Sequence, residues 1–164
     1  MVIALCGFMG CGKTTFGKLL ADKMALEFCD TDEFIEKKQN KSIPYIFENF
    51  GESFFRELEY NALKELAQKD NLILSLGGGA IISDRNKKVL KRYCVVYINC
   101  PFEVCYQRIK NSDRPIVTQK SKEQLNKLYS SRLAHYEKVA NITICDGDLD
   151  KMAEQVIAKA KELL

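Results

Sequence analysis

Residues 7–17 read GFMGCGKTTFG, which places Gly7, Gly12, Lys13 and Thr14 in the order G-x-x-x-x-G-K-T. A tight loop without bulky side chains lets successive backbone N–H groups point inward at phosphate oxygens. A helix opening just beyond it adds the positive end of its dipole. Gly10, Cys11, Gly12, Lys13, Thr14 and Thr15 would then surround nucleotide phosphates, with Lys13 reaching the β and γ oxygens and the Thr14 hydroxyl on Mg2+. A plain glycine turn is the alternative, and the flanks argue against it. VIALC before the loop reads as a buried strand, and Phe16, Leu19, Leu20 and Met24 after it recur at helical spacing. Switches, motors, permeases and kinases all use such loops, so the destination of the phosphate has to come from other residues.

Three further groups of residues carry chemistry. In CDTDE, Asp30 and Asp32 come directly after a strand-like run. One carboxylate can hold Mg2+ through water and the other can accept the proton of a substrate hydroxyl, or the pair can cap a helix. In LSLGGGA, Gly77, Gly78 and Gly79 follow another such run, which fits close approach of backbone to a ligand or an ordinary loop. Arg56, Arg114 and Arg132 offer planar forks suited to carboxylate and phosphate, though spacing alone does not bring them together.

The elements that must position these groups are legible as an alternation. Strand-like runs at 2–6, 26–29, 72–76, 95–99 and 142–145 are separated by helical patterns, which predicts a five-stranded parallel sheet with helices on both faces. Pro101 suits the first turn of a helix through Val104 and Arg108, and Ser121 with Gln124 forms a capping box. Residues 31–68 hold about three helical patterns where one crossover helix would suffice, so an insertion that builds a site is expected there. Residues 111–121, NSDRPIVTQKS, are polar with a proline and read as a mobile loop able to close over a γ-phosphate.

Composition narrows the classes. With 164 residues, 46% hydrophobic and 29% charged, the chain reads as one soluble domain without a membrane span. No signal peptide is expected ahead of the strand beginning at Val2. A net charge of only +3 makes Lys37, Lys38, Lys87, Lys88, Lys91 and Arg92 solvated helix faces rather than a nucleic-acid track. Seven cysteines without a CxxC or CxxH pair argue against disulfides and zinc. Cys6, Cys94, Cys100 and Cys145 are expected in the core. Cys11, beside Lys13 and a helix start, is either an inert thiol or a nucleophilic one whose alkylation ATP would slow.

The ordered series GFMGCGKTTFGKLLA, DTD at 30–32, SI…IF…GE..FR..E from Ser42 to Glu59, LGGG at 76–79, RP at 114–115 and R…Y…A from Arg132 to Ala140 resembles shikimate kinase along essentially the whole chain. The resemblance implies a three-layer α/β/α P-loop NTPase fold and a single kinase domain over 1–164. Its phosphate loop would be 7–14, its substrate-binding insertion about 31–61 and its lid about 111–121. The implied reaction moves the γ-phosphoryl group of ATP to the 3-hydroxyl of shikimate, with one Mg2+ per subunit. The implied protein is a cytoplasmic monomer with no nucleic-acid or membrane partner. Asp32, Arg56, Gly77, Gly78, Gly79 and Arg132 would bind shikimate, the two arginines on its carboxylate and Asp32 on its hydroxyls as proton acceptor. Thr14 and Asp30 would serve Mg2+. Lys13 and Arg114 would act on the transferred group, Arg108 would lie against the adenine, and Phe47, Phe55 and Glu59 would shape or brace the acceptor pocket.

The chain departs from that pattern in RPIV for the usual RPLL, and in Ala134 where a proline often stands. His135 is expected on a helix surface without a catalytic role, and CDGDLDK shows no base-specific pairing. A gluconate or nucleoside monophosphate kinase is the near rival. A GTPase switch would need N-K-x-D, and QNKS at 39–42 lacks the Asp.

Overall fold

The computed structural model describes residues 1–163. Strand β1, Val2–Cys6, is apolar and buried at all its positions, as a central strand covered on both faces must be. It lies between β3 (Leu72–Ser75) and β4 (Cys94–Asn99), with β2 (Glu27–Asp30) outside β3 and β5 (Ile142–Cys145) outside β4. All four pairings are parallel, in the order β2-β3-β1-β4-β5. The helices are α1 (Lys13–Met24), α2 (Thr31–Gln39), α3 (Ile43–Leu66), α4 (Asp84–Leu90), α5 (Phe102–Ile109), α6 (Pro115–Thr118), α7 (Lys122–Val139) and α8 (Leu149–Glu162). The result is the expected three-layer α/β/α architecture. Chain order reverses across β1, so the ends of β1, β3 and β4 border a crevice of the kind in which open α/β sheets bind ligands.

Local chemistry accounts for the element ends. Asp30 caps α2 by accepting from the N–H groups of Asp32 and Glu33, and Ser42 caps α3 by accepting from Tyr45. The capping box of Ser121 and Gln124 is present at α7. Within α3, Gly51 has φ 83° and ψ 171°, a conformation costly for a side chain, and it bends the element into two arms. With α2 these arms make the three helical segments between β2 and β3 that the sequence pattern requires.

Several boundaries and burials differ from the sequence expectation. Leu26 lies outside β2, because its N–H closes the end of α1 on Ala21 O beside Ala25 in the left-handed conformation. Pro101 is the N-cap of α5 rather than a residue of its first turn. Residues 111–121 contain the short helix α6. Cys6 and Cys100 are core residues, but Cys94 is half-buried and Cys145 is exposed. On the edge strand β5 burial alternates, so Ile142 and Ile144 face inward and Cys145 faces out.

Candidate active site

The phosphate loop joins β1 to α1. Gly10 and Gly12 have φ 83° and 93°, which other residues adopt only with strain. Space adds a second constraint at Gly10, where a Cβ would lie 2.7 Å from the carbonyl oxygen of Cys105. Lys13 Nζ donates to Gly7 O (2.8 Å) and Phe8 O (3.3 Å), so its ammonium lies over the loop. Thr14 and Thr15 are exposed in the first turn of α1. Cys11 is only 2% exposed, with its Sγ 3.8 Å from Lys13 Nζ. That burial supports the inert alternative, since a reagent has to reach the sulfur.

Arg108, at the end of α5, holds the loop from the side. Its guanidinium donates to Gly10 O (3.1 Å) and forms a two-nitrogen pair with Asp146, the shortest contact being 3.1 Å. Asp146 belongs to the CDGDLDK segment, whose sequence shows no base-specific pairing. Its partner is 38 residues away, and spacing gives no signal of that contact.

At the next strand ends, Asp30 uses one carboxylate oxygen for the cap of α2, while the other accepts no hydrogen bond among the described residues. Capping and ligand binding are therefore compatible at Asp30. Asp32 lies in the first turn of α2 and approaches the glycine loop, where a Cβ on Gly77 would lie 2.9 Å from its Oδ1. Burial pushes the Asp32 carboxyl up to about 6, helped by the charges of Asp30 and Glu59 and opposed by Lys13.

Gly77, Gly78 and Gly79 gather the other candidates. A Cβ on Gly78 would lie 3.2 Å from Arg132 Nη1, and one on Gly79 would lie 2.8 Å from both terminal nitrogens of Arg56. Side chains there would occupy the space of the guanidinium groups, so the glycines let two cations and a carboxylate converge on one backbone stretch. Glu59, 1% exposed, accepts from Arg56 Nη1 through both oxygens at 3.1 and 3.2 Å. Burial raises its carboxyl, and Arg56 opposes that rise. Phe55 stacks beside Arg56, with 5.3 Å from guanidinium carbon to ring centroid, and Phe47 packs on Phe55 at 4.7 Å between rings.

Arg114 stands apart. It is exposed at the start of α6, and its side chain makes no hydrogen bond or ion pair among the described residues. Three residues given no role in the sequence analysis complete the site. The buried Thr31 hydroxyl donates to Ser75 O (3.2 Å) and accepts from Gly77 N (2.9 Å), tying α2 to the glycine loop. Tyr136 donates to Gly78 O across 58 residues of sequence (3.2 Å). Asn86 bonds to Glu59 and to Ala80 O. Thr31 and Tyr136 lie within DTD and R…Y…A, but no sequence signal marks Asn86.

The shikimate kinase family model matches residues 9–163. A shikimate kinase of Staphylococcus haemolyticus is 44% identical over 140 residues, covering 84% of this chain and 81% of the relative. One from Aquifex aeolicus is 37% identical over 165 residues, covering 100% of this chain and 94% of the relative. A solved structure, the shikimate kinase from Acinetobacter baumannii in complex with shikimate, superposes with a TM-score of 0.91 at 38% identity, covering 98% of this chain and 93% of that one. With a phosphate-loop motif between β1 and α1, with Arg56 and Arg132 beside the glycine loop, and with this likeness along the whole chain, the protein belongs to the shikimate kinase family.

Proposed function

We propose that the crevice carries phosphoryl transfer from ATP to the 3-hydroxyl of shikimate, giving shikimate 3-phosphate and ADP. The observation that supports this acceptor best is the convergence of Arg56, Arg132 and Asp32 on Gly77, Gly78 and Gly79. A small anionic triol needs cations at one end and acceptors along its ring. Two guanidinium groups would grip the carboxylate in planar pairs. A neutral sugar would leave those cations unpaired, which disfavours an uncharged acceptor.

In the transfer, the bond from the γ-phosphorus to the bridging oxygen of ADP breaks and a bond to the shikimate oxygen forms. The hydroxyl proton passes to Asp32, whose raised affinity for protons suits that task. Lys13 turns from the loop carbonyls to the β and γ oxygens, and Gly10, Cys11, Gly12, Thr14 and Thr15 line the phosphates. Arg114 comes in from the 111–121 segment, which serves as the lid, and Arg108 lies along the adenine with Asp146 fixing its plane. The stretch of about 31–61 serves as the acceptor-binding insertion of one kinase domain.

The donor chemistry fits Mg2+. Among the described residues no group of three or more His, Cys, Asp or Glu is placed to hold a metal, whereas Mg2+ commonly takes one or two protein oxygens together with phosphates and waters. Thr14 and the free oxygen of Asp30, the latter through water, would supply the protein's share. When bound, the ion neutralises charge on the phosphates. The proposal includes a monomer acting in the cytoplasm on two small molecules, without nucleic-acid or membrane partners. A net charge of +3 supports the part concerning nucleic acid, and no helix among the described residues is long and apolar enough to cross a membrane.

The test is ADP release from Mg·ATP by purified protein with shikimate, beside gluconate, AMP and quinate. ADP formed with shikimate alone, in equal amount to shikimate 3-phosphate, is the expected result. Folded, ATP-binding protein that shikimate fails to stimulate would overturn it. In the same assay Arg132→Ala is expected to raise the KM for shikimate by about 10- to 100-fold, the usual loss for a charge-assisted pair. The KM for ATP should stay close to wild type, and equal damage to both would contradict the role.

A further inference from the structure

Asn86, on α4, is only 1% exposed and lies outside every motif discussed above. Its Nδ2 donates to Glu59 Oε2 at 3.1 Å and to Ala80 O at 2.9 Å, while its Oδ1 has no partner. Both used contacts are donations to acceptors, which fixes the orientation of the amide. A buried polar group with an orphaned oxygen is destabilising unless its remaining bonds do something that an apolar residue cannot.

The two acceptors lie on different parts of the molecule. Glu59 is on α3, in the segment carrying Arg56, and it holds Arg56 through both carboxylate oxygens. Ala80 directly follows Gly79, the residue against which the Arg56 guanidinium lies. One amide therefore connects the helix that carries Arg56 with the backbone that Arg56 faces. The network runs from Ala80 through Asn86 and Glu59 to Arg56. Arg56 Nη2 also meets the exposed Glu52, a contact too solvated to fix its position.

We infer that Asn86 is a positioning residue for the acceptor, fixing Arg56 against the glycine loop through Glu59 and so setting the affinity for the acceptor carboxylate. The inference rests on the reading of Arg56 as a carboxylate ligand. It separates Asn86 from an ordinary core residue, because a change there should weaken one substrate and spare the other.

The experiment is titration of purified wild type, Asn86→Asp, Asn86→Leu and Arg56→Ala with shikimate and, separately, with Mg·ADP. Both Asn86 variants are expected to bind shikimate about tenfold more weakly, with ADP affinity within about twofold of wild type. Steady-state rates should show the same loss in the KM for shikimate and much less in kcat. Asn86→Asp adds a pH readout that a simple packing defect would not give. It would set a second carboxylate against Glu59, among the charges of Arg56, Arg132 and Asp32 that also face Glu59. Taking up a proton restores one donor, so its deficit relative to wild type should shrink as pH falls, whereas that of Asn86→Leu should not.

Wild-type shikimate affinity in a folded Asn86 variant overturns the inference. So does equal weakening of ADP and shikimate, or a deficit in Asn86→Asp that ignores pH. If Asn86→Leu does not fold, Asn86→Asp decides alone. Normal shikimate affinity in Arg56→Ala sinks the carboxylate-site reading and this inference together. A weakened Arg56→Ala beside unaffected Asn86 variants removes only the role of Asn86.

Discussion

Asp32→Asn is expected to lower kcat by on the order of 10²- to 10⁴-fold, the range for loss of a positioned general base, and to make the folded protein more stable at neutral pH. The two effects share a cause. Burial and the neighbouring carboxylates of Asp30 and Glu59 raise the Asp32 carboxyl from 3.8 to about 6. Between those values the folded state binds more protons than the unfolded chain, so stability falls as pH rises through that window. Above about pH 6 the full cost of keeping Asp32 ionised is present, on the order of 2–3 kcal/mol. Asn has a similar shape and no charge to desolvate. Its melting temperature should therefore exceed that of wild type by several degrees near pH 8, and the gap should close toward about pH 4. Thermal melts at both pH values, beside kcat, check the prediction. An unchanged melting temperature at pH 8 would show that Asp32 is better solvated than its surroundings imply, and near-normal turnover would remove it as proton acceptor. In wild type, kcat/KM for shikimate should fall below about pH 6, because the ionised form accepts the proton and this parameter reports the free enzyme.

Lys13→Ala is expected to cost turnover of on the order of 10²-fold or more, if its ammonium stabilises charge developing on the transferred group. Its contacts with Gly7 O and Phe8 O make the stability effect separable from the catalytic one. Lys13 is itself only half-buried and both contacts are partly open, so water can replace the lost donor. The stability change should stay within about 1 kcal/mol, the net value of an ordinary hydrogen bond. A large fall in kcat with an almost unchanged melting temperature is the expected pair of results. Near-normal kcat would refute the role, and a collapse of the melting temperature would assign the lysine to holding the loop together.

Asn86 and Asp146 are the residues that reading along the chain passed over. Nothing in the types or neighbours of SDRNKK announces a buried amide, and nothing in CDGDLDK marks Asp146 as the partner of a distant arginine. Their partners, Glu59 and Arg108, are 27 and 38 residues away. The exposure of Cys145 escapes the sequence for a related reason. A short apolar run does not say whether one face of its strand or both are covered, and β5 turns out to be an edge.

The phosphate loop, the α1 start, the capping box at Ser121 and the alternation of strands and helices were determined by the sequence itself. They depend on backbone geometry and side-chain bonds among residues a few positions apart, which spacing records directly. The meeting of Asp32, Arg56 and Arg132 on three glycines was decided only in the tertiary structure. It requires β3 to lie beside β1, Gly51 to bend α3, and α7 to return far enough for Tyr136 to reach Gly78. The strand pairing and the reach of α7 join distant parts of the chain, and their strength comes from burial and hydrogen bonding that exist only once the sheet has closed over its core.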